Sequence, residues 1–129
     1  MTFQITGIYA SALGVLAIIL SFHVIAYRAR TSISLMDAND PQMAERIRRH
    51  GNFMEYVPLA LILLAIAEAG GAPKTWLHMD GGILLASRLI HPFGIKHDYA
   101  SAPLRVAGAS GTMIAILIAV GLIVWKHLS

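Results

Sequence analysis

Residues 106–125 run through twenty positions without an acidic or basic side chain other than histidine, and residues 5–27 do the same over twenty-three. A helix needs about 20 mostly apolar residues to cross a bilayer. In lipid every backbone polar group must be satisfied within the segment, so a chain built on such stretches spans as α-helix. Two more apolar runs flank residues 70–73, which brings the candidate spans to four. The composition agrees: 57% of the residues are hydrophobic and 13% are charged. At 129 residues the chain has room for one domain. The expected fold is an all-α integral membrane protein, a four-transmembrane-helix bundle with helices over residues 5–27, 40–69, 74–91 and 102–126.

Local signals set these boundaries. Arg28 and Arg30 stop the first helix at an interface. Asp40-Pro41 reads as a helix start, with Asp as N-cap and Pro at the first helical position. Pro58 is expected to kink the second helix, and Gly70-Gly71-Ala72-Pro73 to end it. Ser101 reads as the N-cap of the fourth helix, and Trp125 as an interfacial anchor near its end. Gly7, Ser11 and Gly14 on the first helix, and Ala107, Gly108, Gly111, Ala115 and Ala119 on the fourth, are small faces that call for helix partners. Those faces point to an oligomer. The N-terminal stretch has no basic region ahead of its apolar run and reads as a retained first helix, not a signal peptide.

The net charge of +3 does not indicate nucleic acid as a partner, because the charge clusters at the ends of apolar segments. Arg28, Arg30, Arg46, Arg48 and Arg49 lie on the side of the first connection. Arg88, Lys96 and Arg105 join them at the second, and only Lys74 and Lys126 lie opposite. The basic connections are therefore expected in the cytoplasm and both termini across the membrane. With no cysteine, the chain has no disulfide, thiolate metal site or cysteine nucleophile.

Residues 45–59 carry the chemistry. At about 100° per residue, Glu45, Arg48, Arg49, Asn52, Glu55 and Tyr56 fall within an arc of roughly 120° on one helix. The same helix then continues as hydrocarbon. Ionisable groups at such a depth are costly and mark a functional site by default. Arg48, Arg88 and Arg105 sit on or near apolar faces and suit an internal anionic site, whereas Arg30, Arg46 and Lys96 suit anionic lipid headgroups. One reading is a zwitterion site: arginines for carboxylates, Glu55 for an ammonium, Asn52 for a peptide group. Another is a structural network from Arg48 to Glu55 with Asn52 between them. His50, His78, His91 and His97 are too scattered for a metal site, and no nucleophile–His–Asp set or phosphate loop is present.

The helix layout, together with Arg48-x-His50-x-Asn52-x-x-Glu55 and Pro58, resembles the MAPEG family, the membrane-associated proteins of eicosanoid and glutathione metabolism. Tyr56 is similar to the leukotriene-synthase branch. Arg48, His50, Met54 and Glu55 together are similar to the prostaglandin E synthase branch. Ser101-Ala102-Pro103-Leu104-Arg105 resembles the segment that opens the family's fourth helix; Arg88-Leu89 and Arg28 match its arginines on helices three and one. The resemblance implies a homotrimer that binds glutathione between subunits near the cytoplasmic face. It implies Arg28, Arg48, Asn52, Glu55, Tyr56 and Arg88 as glutathione ligands and Arg105 as the arginine that activates the thiol. Two places depart from the pattern. The family's late helix-three tyrosines give way to His91-Pro92-Phe93-Gly94-Ile95, with Tyr99 the nearest tyrosine, and Val106 replaces a serine found in the prostaglandin branch.

The implied chemistry is sound. A free thiol has a pKa of about 8.5, and a guanidinium within about 4–6 Å lowers it by about 1–3 units. Arginine stays charged even when poorly solvated. The expected activity is a glutathione-dependent membrane transferase, with peroxidase activity as a second outcome, that takes an apolar electrophilic small molecule from the lipid. The alternative is a non-catalytic membrane protein of the same fold that binds lipid or another small anion.

Overall fold

Asp40 caps its helix as its neighbours in sequence suggest. Its Oδ1 accepts from the backbone N–H groups of Gln42 (2.9 Å) and Met43 (3.3 Å), with Pro41 in the first turn. Its Oδ2 accepts from the Tyr27 hydroxyl at 2.8 Å. That bond, with the two N–H donors, holds the Asp40 carboxyl below the usual carboxylate range. The computed structural model, which describes residues 2–128, has four helices: α1 Gln4–Thr31, α2 Pro41–Ala69, α3 Lys74–Gly94 and α4 Pro103–Leu128.

Helix α1 runs four residues beyond its expected end, so Arg28 and Arg30 lie within its last turn. Helix α2 carries through Pro58 without a break. At the far end of α2, Gly71 takes a left-handed conformation (φ 76°), open to glycine at no steric cost. Helix α3 includes Pro92 and ends only at Gly94. Helix α4 starts one residue later than expected. The Ala102 carbonyl, not Ser101, opens it by accepting from the N–H groups of Arg105 (2.9 Å) and Val106 (3.1 Å).

Three helices, α1, α2 and α4, are long and apolar enough to cross a membrane, whereas α3 falls short by composition. The reason lies in what α3 carries. Asp80, Arg88 and His91 break its apolar run, and all three are at most 2% exposed. Helix α3 packs against α1, α2 and α4 and so turns these groups into the bundle. Its polar stripe is hidden from lipid, as polar groups at membrane depth must be.

Two apolar clusters hold the helices together. Leu13, Leu20, Phe53, Val57, Leu84 and Ala115 form one, and Ile5, Leu64, Ala67, Leu77 and Leu122 the other. The small stripe of α4 is spent inside the chain. A Cβ at Gly108 would collide with His91, and one at Gly111 with the Ser87 hydroxyl. That stripe therefore gives no argument for an oligomer, contrary to the expectation from sequence. A Cβ added at Gly7 or Gly14 on α1 would meet nothing from another helix within 4 Å, so that small face has no partner among the described residues. Glu68 closes the same end of the bundle, accepting from the N–H groups of Ile5 (2.9 Å) and Thr6 (2.8 Å) and from the Thr6 hydroxyl (2.6 Å). It caps α1, a helix with no side-chain cap of its own.

Candidate functional site

Arg88 is 1% exposed and sits where α2, α3 and α4 meet. Its Nη2 donates to Asn52 Oδ1 of α2 at 2.9 Å, and its Nη1 to Thr112 Oγ1 of α4 at 3.3 Å. Nη2 also lies 3.4 Å from His91 Nδ1. Since a guanidinium only donates, that contact needs His91 Nδ1 unprotonated. The guanidinium carbon is 5.7 Å from the Phe53 ring centroid. Among the described residues no carboxylate pairs with Arg88, and its Nε has no partner. Two neutral oxygens and an imidazole thus hold a buried cation. Removing a charge from water is expensive unless an opposite charge compensates.

A pocket of about 220 Å³ opens beside this network, lined by Arg48, Asn52, His91, Lys96, His97 and Arg105, with Glu45 at its wall. A smaller one of about 60 Å³ touches Asn52, Tyr56, Arg88, Thr112 and Met113. Asn52 borders both. The connection between α3 and α4 forms one side of the larger pocket and is tied down to α2. Glu45 Oε1 accepts from the His97 N–H (3.0 Å) and pairs with its Nδ1 (2.7 Å); Arg49 Nη2 donates to the Ile95 carbonyl (2.9 Å) and pairs with Glu45 Oε2 (3.1 Å). Where α3 gives way to α4, Gly94 lies against the Arg105 backbone so closely that a Cβ would strike the Arg105 nitrogen. That contact places Arg105 at the pocket.

Of the seven residues expected from sequence, Arg48, Asn52 and Arg105 line the larger pocket, and Asn52, Tyr56 and Arg88 the smaller. Glu55 lines neither. It holds Arg48 in a two-armed ion pair at 3.2 and 3.3 Å, both side chains more than half exposed. The ion pair of the alternative structural network, Arg48 to Glu55, forms, but Asn52 is not between them; its side-chain oxygen turns inward to Arg88. Arg28 lines neither pocket. Its Nη1 donates to the Ile33 (3.2 Å) and Met36 (3.1 Å) carbonyls and braces the α1–α2 connection. There Ser32, Met36, Ala38 and Asn39 all have positive φ, a costly conformation for residues with a side chain.

Sequence reasoning passed over Thr112. Its hydroxyl donates to the Gly108 carbonyl at 2.8 Å and leaves a lone pair for Arg88. The signal was there: Thr112 lies one turn from Gly108, on the face of α4 that the small residues mark. It also passed over the Glu45–Arg49–His97 strap, whose partners are about fifty positions apart.

Residues 6–125 match the family model for the MAPEG family. The chain is 32% identical over 122 residues to the inner membrane protein YecN of Escherichia coli (strain K12), covering 95% of this chain and 92% of the relative. The YecN protein of Escherichia coli O6:H1 (strain CFT073) matches to the same extent. No solved structure matches.

Proposed function

Because the chain belongs to the MAPEG family, we propose that it is a glutathione-dependent membrane transferase, with peroxidase activity as a secondary outcome of the same thiolate. The observation that carries the reading is Arg88, a buried cation with no carboxylate partner among the described residues, next to a pocket lined by Arg48, Lys96 and Arg105. An anionic ligand bearing two carboxylates supplies the missing charge. Glutathione is such a ligand, and the donor set fits it.

In this reading Arg48 and Arg88 attract its carboxylates. Asn52 keeps its amide for a peptide group, and Tyr56 offers a hydroxyl from the smaller pocket. Glu55 takes the ammonium after exchanging its Arg48 partner, a low-cost step because that pair is exposed. Arg105 stands in the first turn of α4, where the helix dipole also favours an anion. It holds the sulfur as thiolate for attack on an apolar electrophile arriving from the lipid. The reading includes α3 as a fourth span, shielded by its neighbours, and a homotrimer that covers the open Gly7–Gly14 face of α1 and brings Arg28 to a neighbouring pocket. It puts the basic connections in the cytoplasm and both termini across the membrane.

The test is purified protein in mild detergent with glutathione and chlorodinitrobenzene, together with the thiolate absorbance on adding glutathione alone. Conjugation above the uncatalysed rate and a thiolate signal near neutral pH are expected, from a species of three chains by mass. The alternative, a non-catalytic binder of the same fold, has one observation in its favour: Glu55 is already engaged by Arg48. Neither thiolate nor conjugate with glutathione, from protein that still binds lipid or another small anion, would establish that alternative.

A further inference from the structure

Helix α1 and the last turns of α3 enclose a groove of about 490 Å³. Ile19 and Leu20 of α1 and Leu89 and Phe93 of α3 give it an apolar floor, while Arg49 and Lys96 stand at its rim. His23 lines this groove and also a second pocket of about 120 Å³, shared with Tyr27, Arg30 and Arg46. An apolar trough thus runs into a basic pocket at His23. Tyr27 sets that pocket's shape, with the guanidinium carbons of Arg46 and Arg30 4.3 and 5.2 Å from its ring centroid. Among the described residues neither arginine forms an ion pair, and neither does Lys96.

We infer that the groove and the basic pocket together bind an anionic phospholipid, its phosphate between Arg30 and Arg46 and an acyl chain along Ile19, Leu20 and Leu89. Charge complementarity selects this occupant. The cations stand where α1 and α2 leave the apolar zone, and the floor below them is hydrocarbon. Basic pockets between spanning helices favour anionic headgroups. A zwitterionic headgroup brings its own cation to this end, and a soluble anion leaves the trough unfilled. The groove's volume falls in the ~300–1,000 Å³ range of small-molecule sites. Lys96 borders both this groove and the Arg105 pocket, but Arg30 and Arg46 do not line the Arg105 pocket, so those two arginines report on lipid apart from glutathione chemistry.

The test is native mass spectrometry of the delipidated full chain with dioleoyl phosphatidylglycerol, dioleoyl phosphatidylcholine or oleate. Selective retention of phosphatidylglycerol is expected. Arg30→Gln and Arg46→Gln should each weaken it about fivefold, from about 1 kcal/mol per basic residue near an anionic headgroup, without changing phosphatidylcholine retention. Leu89→Trp, which narrows the groove and leaves both arginines, should weaken both phospholipids. If Arg46→Gln does not fold, Arg30→Gln and Leu89→Trp decide. Equal retention of the two phospholipids overturns the inference. So does full displacement by equimolar oleate, indifference to Arg30→Gln, or cross-linking from position 19 into a second copy of the chain.

Discussion

Replacing Arg88 with methionine separates a binding cation from a structural one. Arg88 makes hydrogen bonds to Asn52 at 2.9 Å and Thr112 at 3.3 Å, with a further contact to His91 at 3.4 Å, but no ion pair among the described residues. Replacing a buried ion pair with apolar side chains of similar volume is often neutral or stabilising by about 1–4 kcal/mol, and a buried cation with no paired charge has less Coulombic attraction to lose. The partners left behind lose little. Thr112 keeps its bond to the Gly108 carbonyl (2.8 Å), and Asn52 lines a pocket where water can replace the guanidinium. Unfolding free energy should therefore stay within about 1 kcal/mol of wild type. Glutathione affinity should fall far more. A hydrogen bond to a charged group contributes about 1.5–3 kcal/mol, which is roughly 10- to 150-fold in Kd. Thermal unfolding in detergent and calorimetric titration of glutathione read the two quantities on one preparation. A variant that melts well below wild type yet binds glutathione as before would refute the reasoning and make Arg88 a structural keystone.

Arg105→Ala should lower turnover at pH 7 by about one to two orders of magnitude, the rate expected from a pKa shift of one to two units. High pH should restore part of it; a pH–rate profile with the same apparent pKa as wild type removes Arg105 from thiol activation. Gly94→Ala should destabilise by about 1–3 kcal/mol, since the new Cβ meets the Arg105 backbone and not a movable side chain. Gly121→Ala, with nothing within 4 Å, is its control in the same melt. Tyr27→Phe should flatten the acid limb of the stability curve. In the folded chain Asp40 titrates below its unfolded value of about 3.9. Its extra stability is full above that value and is lost as pH falls through the lower folded one. Melting temperatures of both proteins between pH 7 and pH 3 should converge at the acid end; parallel curves would separate Tyr27 from Asp40.

Periodicity and local punctuation made much of this protein legible before its tertiary structure. Residues 106–125 call for a helix because twenty uncharged, mostly apolar positions in a row can satisfy their backbone groups in lipid within the segment itself only as a helix. Asp40-Pro41 and Gly70-Gly71 mark ends through bonds within a few residues of themselves. The arc holding Arg48, Asn52 and Tyr56 follows from helical geometry alone. What faces that arc does not. Asn52 bonds Arg88 across 36 positions, Arg49 reaches Ile95 across 46, and Glu68 caps α1 from 62 and 63 positions away. A helical period says which side chains share a face, whereas the packing of α3 among three neighbours decides what each face meets. That packing turned the small stripe of α4 inward against His91 and Ser87. It also let α3 keep Asp80, Arg88 and His91 out of lipid, because polar groups at that depth persist only where other helices cover them.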